Sequence, residues 1–165
     1  MLKWGCSVVI LPVYVNDKLL AGNNDSLLNS IQKAISMRFK ASNLGDVSWI
    51  LSIQVWHDIS KGTLFIDQSQ YLKSVLVCFS MSDCTPTIIP LPAGKLFVPA
   101  KPDTHTSISS YPYLEVIRSL TYAAMGTCPD ICAAVCALSL FTASFSPSHI
   151  DGLKHIMQYL CGTLN

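Results

Sequence analysis

A proline-rich stretch, residues 84–112, divides this chain of 165 residues into two regions of different character. Six of the nine prolines fall within it, with serine and threonine between them. Proline fixes its own φ and has no N–H to donate, so such a segment cannot continue a helix or a central strand. We therefore expect an extended surface linker that connects two separately built regions.

The region before the linker opens with the pattern of a β-hairpin. An apolar run over residues 8–15 is followed by Asn16 and Asp17 and then by a second apolar run that ends at Gly22. This order predicts a strand, a tight turn with Asn16 and Asp17 at its tip, and a return strand. Pro12 is unexpected within the first strand, because proline lacks the N–H that a ladder position donates.

The remaining elements follow from periodicity. Apolar residues at helical spacing predict helices, and β-rich, partly alternating runs predict strands. Before the linker these patterns predict a helix over 25–39 capped by a polar cluster at 23–26, a strand over 47–56, a turn at 60–62, a strand over 63–66 and a helix over 68–79 capped by Asp67. After the linker they predict helices over 111–125, from Pro129 to about 145, and over 146–162. The predicted fold class is α+β.

Composition leaves two explanations open. Half of the residues are hydrophobic and 13% are charged, which is on the apolar side for a globular domain. The chain is either a core-rich domain or a fragment whose apolar faces meet parts that it lacks. A net charge of +1 and only two arginines provide no basic surface of the kind that nucleic-acid-binding domains carry.

The seven cysteines have no paired spacing, which argues against a disulfide framework and favours a reducing, intracellular compartment. Cys128, Cys132 and Cys136 recur at every fourth residue, so one helix face could carry all three. A soft-metal site and simple packing both fit this spacing, and packing is favoured because no histidine or second cysteine pair completes a metal site. The apolar run over 131–145 is too short to span a bilayer and predicts a buried helix.

Several blocks of this sequence resemble those of one polymerase family. Residues 14–17, Tyr-Val-Asn-Asp, resemble the Tyr-X-Asp-Asp motif of reverse transcriptases, in the Tyr-Val-Asp-Asp form of copia-type retrotransposons. Residues 50–55, Ile-Leu-Ser-Ile-Gln-Val, are similar to the family's Ile-Leu-Gly-Ile-x-Val strand. Further blocks that resemble the family in the same order are residues 39–46, 66–71, 119–122, 127–131 and 159–163.

The resemblance implies a hand-shaped polymerase with fingers, palm and thumb. Residues 1–83 would be a partial palm and its following helix, 84–112 a linker, and 113–165 a helical thumb or connection region. In this family the first hairpin aspartate and an aspartate from an earlier palm strand hold two magnesium ions. Asn16 and Asp17 would then occupy catalytic positions, with Asp17 as the candidate metal ligand. The implied partners are an RNA or DNA primer–template and the fingers, upper palm and ribonuclease H regions of a polyprotein, with no membrane.

The sequence also departs from the family pattern. Asn16 replaces the first aspartate of the pair, Ser52 replaces a glycine, and Cys128 replaces an arginine; Ala41, Asn43 and Arg118 are further departures. We expect a truncated and degenerate enzyme without polymerase activity of its own, because Asn16 offers a neutral carbonyl and the fingers and the earlier palm aspartate would lie upstream of Met1.

Three alternatives remain at this point. The chain could be a non-catalytic remnant that binds nucleic acid or a polymerase partner. It could instead be one piece of a gene whose remaining polymerase sequence lies just upstream. Without the resemblance, Asp17 would be an ordinary turn residue, since aspartate is common in turns whatever the function.

Overall fold

The computed structural model describes residues 2–4, 6–92, 94–99 and 110–164. Among these residues it contains eight short strands, five α-helices and one short 3₁₀-helix. The chain divides into two compact units, Met1–Phe65 and Ile66–Asn165. This mixture of strands and helices agrees with the predicted α+β class. No helix within the described ranges is both long enough and apolar enough to cross a membrane.

The first unit begins with a long, interrupted hairpin. Its strands are β1 (Leu2–Trp4), β2 (Ser7–Ile10), β3 (Val13–Tyr14), β4 (Asp17–Lys18) and β5 (Ala21–Gly22). Strand β2 lies between β1 and β5 in a three-stranded antiparallel sheet, and β3 pairs with β4. The β2–β5 and β3–β4 pairs keep the same register, so together they form one hairpin.

Pro12 lies at the interruption of this hairpin. It cannot donate to the ladder, but its carbonyl oxygen accepts a hydrogen bond from the N–H of Leu19 at 3.1 Å. The chain therefore crosses Pro12 without a change of register, and the strand predicted over 8–15 is present as two short pieces.

Helix α1 (Asp25–Arg38) confirms the helix predicted over 25–39. Its N-cap is Asn24, whose side-chain oxygen accepts a hydrogen bond from the N–H of Leu27 at 3.1 Å. The neighbouring Asn23 accepts a hydrogen bond from the N–H of Val8 at 2.8 Å and so holds the helix start against β2. The predicted apolar face is only half-buried, and α1 contains no fully buried residue.

A second antiparallel sheet consists of β6 (Trp49–Ile50), β7 (Ile53–Asp58) and β8 (Thr63–Asp67), in that order. The single strand predicted over 47–56 is wrong, because the chain reverses at Leu51 and Ser52. Their φ values are 49° and 60°, and positive φ at both central positions gives a two-residue turn whose twist suits a hairpin. The turn predicted at 60–62 is confirmed, with Gly62 at φ 62°.

The second unit is helical and contains most of the core. Its helices are α2 (Ser69–Cys78), α3 (Tyr113–Gly126), the 3₁₀-helix Pro129–Ile131, α4 (Cys132–Ser139) and α5 (Pro147–Thr163). Within the described part of the chain, all buried apolar side chains except Val9 and Val55 belong to this unit. The predictions are confirmed for α2, α3 and α5, whereas the helix predicted from Pro129 to about 145 ends at Ser139.

The described part of the predicted linker has no helix or strand, as its proline content leads us to expect. It packs on the helical unit: the ring of Phe97 stacks on that of His149, with centroids 5.3 Å apart, and the N–H of Thr87 donates to the carbonyl oxygen of Gln158 at 3.4 Å. Residues 93 and 100–109 lie outside the described residues. The three-part division at 83 and 112 stays a prediction.

Candidate active site

The tip of the first hairpin is a two-residue turn at Val15 and Asn16. Tyr14 and Asp17 form the last cross-strand pair before the turn. Asp17 therefore belongs to β4, and the prediction that it shares the tip with Asn16 is wrong by one residue. Val15 has φ 52°, a left-handed conformation that is strained for a β-branched side chain.

The side chains at this tip face solvent. Asn16, Asp17 and Lys18 are all exposed. Because directly paired residues lie on the same face of a hairpin, Asp17 shares its face with Tyr14, and Lys18 lies on the other face. The ammonium of Lys18 donates a hydrogen bond to the backbone carbonyl oxygen of Asn16 at 3.5 Å. The tip thus combines one carboxylate, one neutral amide and one positive charge.

These donors do not fit a two-magnesium site. Magnesium takes hard oxygen ligands, usually one or more carboxylates for each ion, and two-metal sites place the ions about 4 Å apart. Asp17 supplies a single carboxylate, and the side chain of Asn16 supplies only a neutral amide. The ammonium of Lys18 lies beside the backbone carbonyl oxygen of Asn16, where it would repel a cation. No three acidic, histidine or cysteine side chains in the described part of the chain are grouped closely enough to hold a metal ion.

The sequence blocks of the second unit meet in its core, a result that the sequence did not predict. Gln68, only 1% exposed, accepts a hydrogen bond through Oε1 from the hydroxyl of Thr127 at 3.0 Å. A Cβ on Gly126 would lie 2.2 Å from the same oxygen, so a larger residue there would displace the buried amide. The block at 66–71 is therefore joined to the block at 127–131.

Two tyrosines of these blocks make similar long-range contacts. Tyr71 donates a hydrogen bond to the carbonyl oxygen of Ser119 at 3.1 Å, and its ring meets Tyr122 edge-on with centroids 5.1 Å apart. Tyr159 donates a hydrogen bond to the carboxylate of Asp130. The sequence gives no specific sign of these roles, because the blocks at 66–71 and 127–131 contain several polar side chains each.

The three regularly spaced cysteines are in two different environments. Cys128 is half-buried against the helical core, and burial raises the pKa of its thiol. This agrees with the packing prediction. Cys132 and Cys136 are exposed on α4, so the packing prediction is wrong for them, and one side of the helix predicted to be buried faces solvent.

Comparison with known proteins identifies the family to which the chain belongs. A family model described as reverse transcriptase (RNA-dependent DNA polymerase) matches residues 2–93, which is more than half of the chain and includes the whole hairpin. The chain belongs to the reverse transcriptase family. The prediction of a copia-type reverse transcriptase relative is confirmed.

Curated relatives of this reverse transcriptase chain extend the similarity beyond residue 93. The Pol polyprotein of transposon TNT 1-94 from Nicotiana tabacum is 30% identical over 94% of this chain, and that of transposon RE1 from Arabidopsis thaliana is 32% identical over 100% of it. The chain spans only 12% and 11% of the length of these two relatives.

A shorter relative is an uncharacterized mitochondrial protein of Arabidopsis thaliana, which is 30% identical over 93% of this chain and 62% of its own length. No solved structure matches the chain significantly. The catalytic roles of Asn16 and Asp17 stay predictions.

Proposed function

We propose that this chain derives from the C-terminal palm and thumb part of a copia-type RNA-directed DNA polymerase and does not polymerise DNA by itself. Residues 1–83 correspond to a partial palm and its following helix, 84–112 to a linker, and 113–165 to a thumb or connection region. The family match over 2–93 and the order of the sequence blocks support this assignment. The proposed lack of activity rests on Asn16 at the hairpin tip.

The amide of Asn16 removes a large favourable interaction with a metal ion. At about 4 Å and an effective dielectric constant near 20, a pair of unit charges is worth roughly 4 kcal/mol, and a dication about doubles this before desolvation offsets it. Each 1.36 kcal/mol of barrier is about tenfold in rate. Loss of metal binding at this position would therefore slow polymerisation by several orders of magnitude.

Asp17 keeps the position of the second aspartate of the family motif without a carboxylate beside it. Magnesium is the cofactor of the parent family, and the donors at this tip would not bind it productively. By the same family relation, the partners would be an RNA or DNA primer–template and the fingers, upper palm and ribonuclease H regions of a Pol polyprotein.

A primer-extension assay tests this proposal. Purified chain is incubated with a primed homopolymer template, the matching deoxynucleotide and magnesium or manganese, and the primer length is measured. We expect no extension above that of the Asp17→Asn variant. Template-dependent extension by the natural chain that Asp17→Asn abolishes would overturn the proposal.

A second candidate function is a non-catalytic remnant that binds nucleic acid or a polymerase partner. The observation that favours it is a pair of exposed rings on the second sheet, Trp56 and Phe65, with centroids 5.5 Å apart. Exposed rings of this kind can stack on bases, whereas a net charge of +1 leaves few phosphate contacts.

A filter-binding titration with primer–template at low and moderate salt separates the two candidates. Real phosphate contacts give an affinity that falls steeply with salt concentration. Tight, salt-dependent binding that Trp56→Ala weakens would favour the binding remnant. Weak binding that Trp56→Ala leaves unchanged would count against a remnant that binds nucleic acid.

A further inference from the structure

Helix α4 presents two thiols side by side on its exposed face. Cys132 and Cys136 are one helical turn apart, both are exposed, and their Sγ atoms lie 4.0 Å apart. Neither residue contributes to the hairpin or to the contacts that join the sequence blocks. Such a pair of free thiols within reach of one another and of solvent is suited to chelation.

We propose that Cys132 and Cys136 together chelate a thiophilic divalent cation of the zinc and cadmium class. In a tetrahedral site with zinc–sulfur bonds of about 2.3 Å, two sulfur ligands lie about 3.8 Å apart. The observed separation of 4.0 Å matches two adjacent vertices of such a site without any change in the helix backbone. Thiolates select soft cations of this class over magnesium or calcium.

The rest of the coordination sphere is open to solvent. Within the described residues, no third cysteine, histidine or acidic side chain is grouped with this pair. The bound cation would keep two positions for water or for a ligand from another molecule, as catalytic zinc sites keep one. The site is therefore an exchangeable surface chelate and not a structural zinc centre that the fold needs.

The thiols of the pair already interact with each other. Their Sγ atoms are within hydrogen-bonding distance, and a cation that binds both sulfurs must displace the thiol protons. Cys84 and Cys161 also lie near each other but are less accessible, because both are half-buried. The Sγ of Cys161 faces the carbonyl oxygens of Ser82 and Cys84 at 3.8 and 3.9 Å.

Titration of the reduced full chain with cadmium tests the proposal through the ultraviolet thiolate-to-cadmium charge-transfer band. We expect saturable binding that Cys132→Ser and Cys136→Ser each weaken by about tenfold or more, because the second ligand of a chelate acts at high effective concentration. Cys78→Ser is the matched control, since Cys78 is another exposed cysteine of the second unit, and it should leave the affinity unchanged.

A second readout uses the natural chain alone. Cadmium should protect Cys132 and Cys136 from alkylation, measured by peptide mapping, and should leave Cys78 reactive. This keeps the proposal testable even if a serine variant does not fold. The proposal is overturned if the Cys132→Ser/Cys136→Ser double variant binds cadmium as tightly as the natural chain, if the natural chain shows no saturable binding, or if the two thiols stay as reactive as Cys78.

Discussion

Ser52 lies in the left-handed region, with φ 60°, where the family's sequence block has glycine. An L-residue other than glycine costs roughly 1–2 kcal/mol in this conformation because its Cβ approaches the carbonyl oxygen. The preceding Leu51 has φ 49° and the same cost. The β6–β7 turn therefore adopts positive φ at two positions without a glycine, and the pairing of the two strands stabilises it.

Replacement of this serine by glycine should stabilise the first unit. We expect Ser52→Gly to raise its unfolding free energy by about 0.5–1 kcal/mol, the relieved strain less the greater freedom of glycine in the unfolded chain. The measurement is urea unfolding followed by tryptophan fluorescence, because Trp4, Trp49 and Trp56 all belong to the first unit.

Ser48→Gly is the matched control, since Ser48 is another exposed serine, just before β6, and has no positive φ. It should leave the stability unchanged or lower it by a few tenths of a kcal/mol. Equal losses in Ser48→Gly and Ser52→Gly would show that the left-handed conformation carries no strain.

The sequence predicts the first hairpin and the β7–β8 hairpin with its turn at 60–62, but it misplaces the first turn and misses the β6–β7 hairpin. At the first hairpin, Asn16 and Asp17 have the strongest turn preference, but the pairing register of the strands places Val15 in the turn and Asp17 in a strand. At the β6–β7 turn, Ser52 has replaced the glycine that would have marked the reversal. The pairing register depends on both strands, so the sequence of one strand does not determine which residues form the turn.

At the scale of the element, a buried histidine in the first turn of α5 caps the start of that helix. The Nδ1 atom of His149 accepts a hydrogen bond from the N–H of Ser146 at 2.9 Å, and the ring packs against Phe97 and Phe141. Burial lowers the pKa of His149. Nδ1 must be unprotonated to accept this hydrogen bond, so the cap of α5 requires the neutral ring.

The stability of the helical unit should therefore decline in acid. Above about pH 6.5, the pKa of histidine in the unfolded chain, His149 is neutral in the folded and unfolded states, and its full contribution to the stability of the helical unit is present. As the pH falls below about 6.5, the unfolded state takes up the proton first, and the unfolding free energy decreases until the lowered folded pKa is passed. Thermal unfolding by far-ultraviolet circular dichroism between about pH 7.5 and 5 measures the decline.

Two variants assign this decline to one residue. His149→Gln should flatten the pH dependence, and His57→Gln should leave it unchanged because His57 is exposed and lies in the first unit. An equally steep decline in His149→Gln and in the natural chain would assign the effect to another group.

The junction of α2 and α3 gives a second test at this scale. Gly126→Ala should destabilise the helical unit by about 1–3 kcal/mol through overpacking against Gln68, although alanine favours a helix over glycine by about 1 kcal/mol. In a Gln68→Ala background the penalty should vanish, and a double-mutant cycle of thermal unfolding measures this coupling. Additive effects of the two changes would contradict the close contact.

At the scale of the whole molecule, burial is uneven. The helical unit has a continuous core, which its apolar periodicities predict well. In the first unit, Val9 and Val55 are buried while many apolar side chains are exposed, including Val15, Leu44 and Phe65. Composition alone could not separate these cases, because an average over 165 residues hides the difference between the two regions.

Uneven burial predicts that the two units unfold separately. Each 100 Å² of apolar surface left in solvent forgoes roughly 2.5 kcal/mol, so the first unit should unfold at the lower urea concentration. Tryptophan fluorescence reports on the first unit, and far-ultraviolet circular dichroism is dominated by the helices of the second. Non-coincident transitions are expected, and coincident ones would indicate a single cooperative unit.

We propose that the first hairpin derives from a reverse transcriptase catalytic loop and lacks the donors that would bind metal there. The most direct measurement is a manganese titration of the isotopically labelled chain by NMR, which detects a bound paramagnetic ion through broadening of nearby amide signals. We predict no selective broadening at residues 14–18 in the natural chain and more in Asn16→Asp. Selective broadening of these amides in the natural chain, abolished by Asp17→Asn, would contradict the claim.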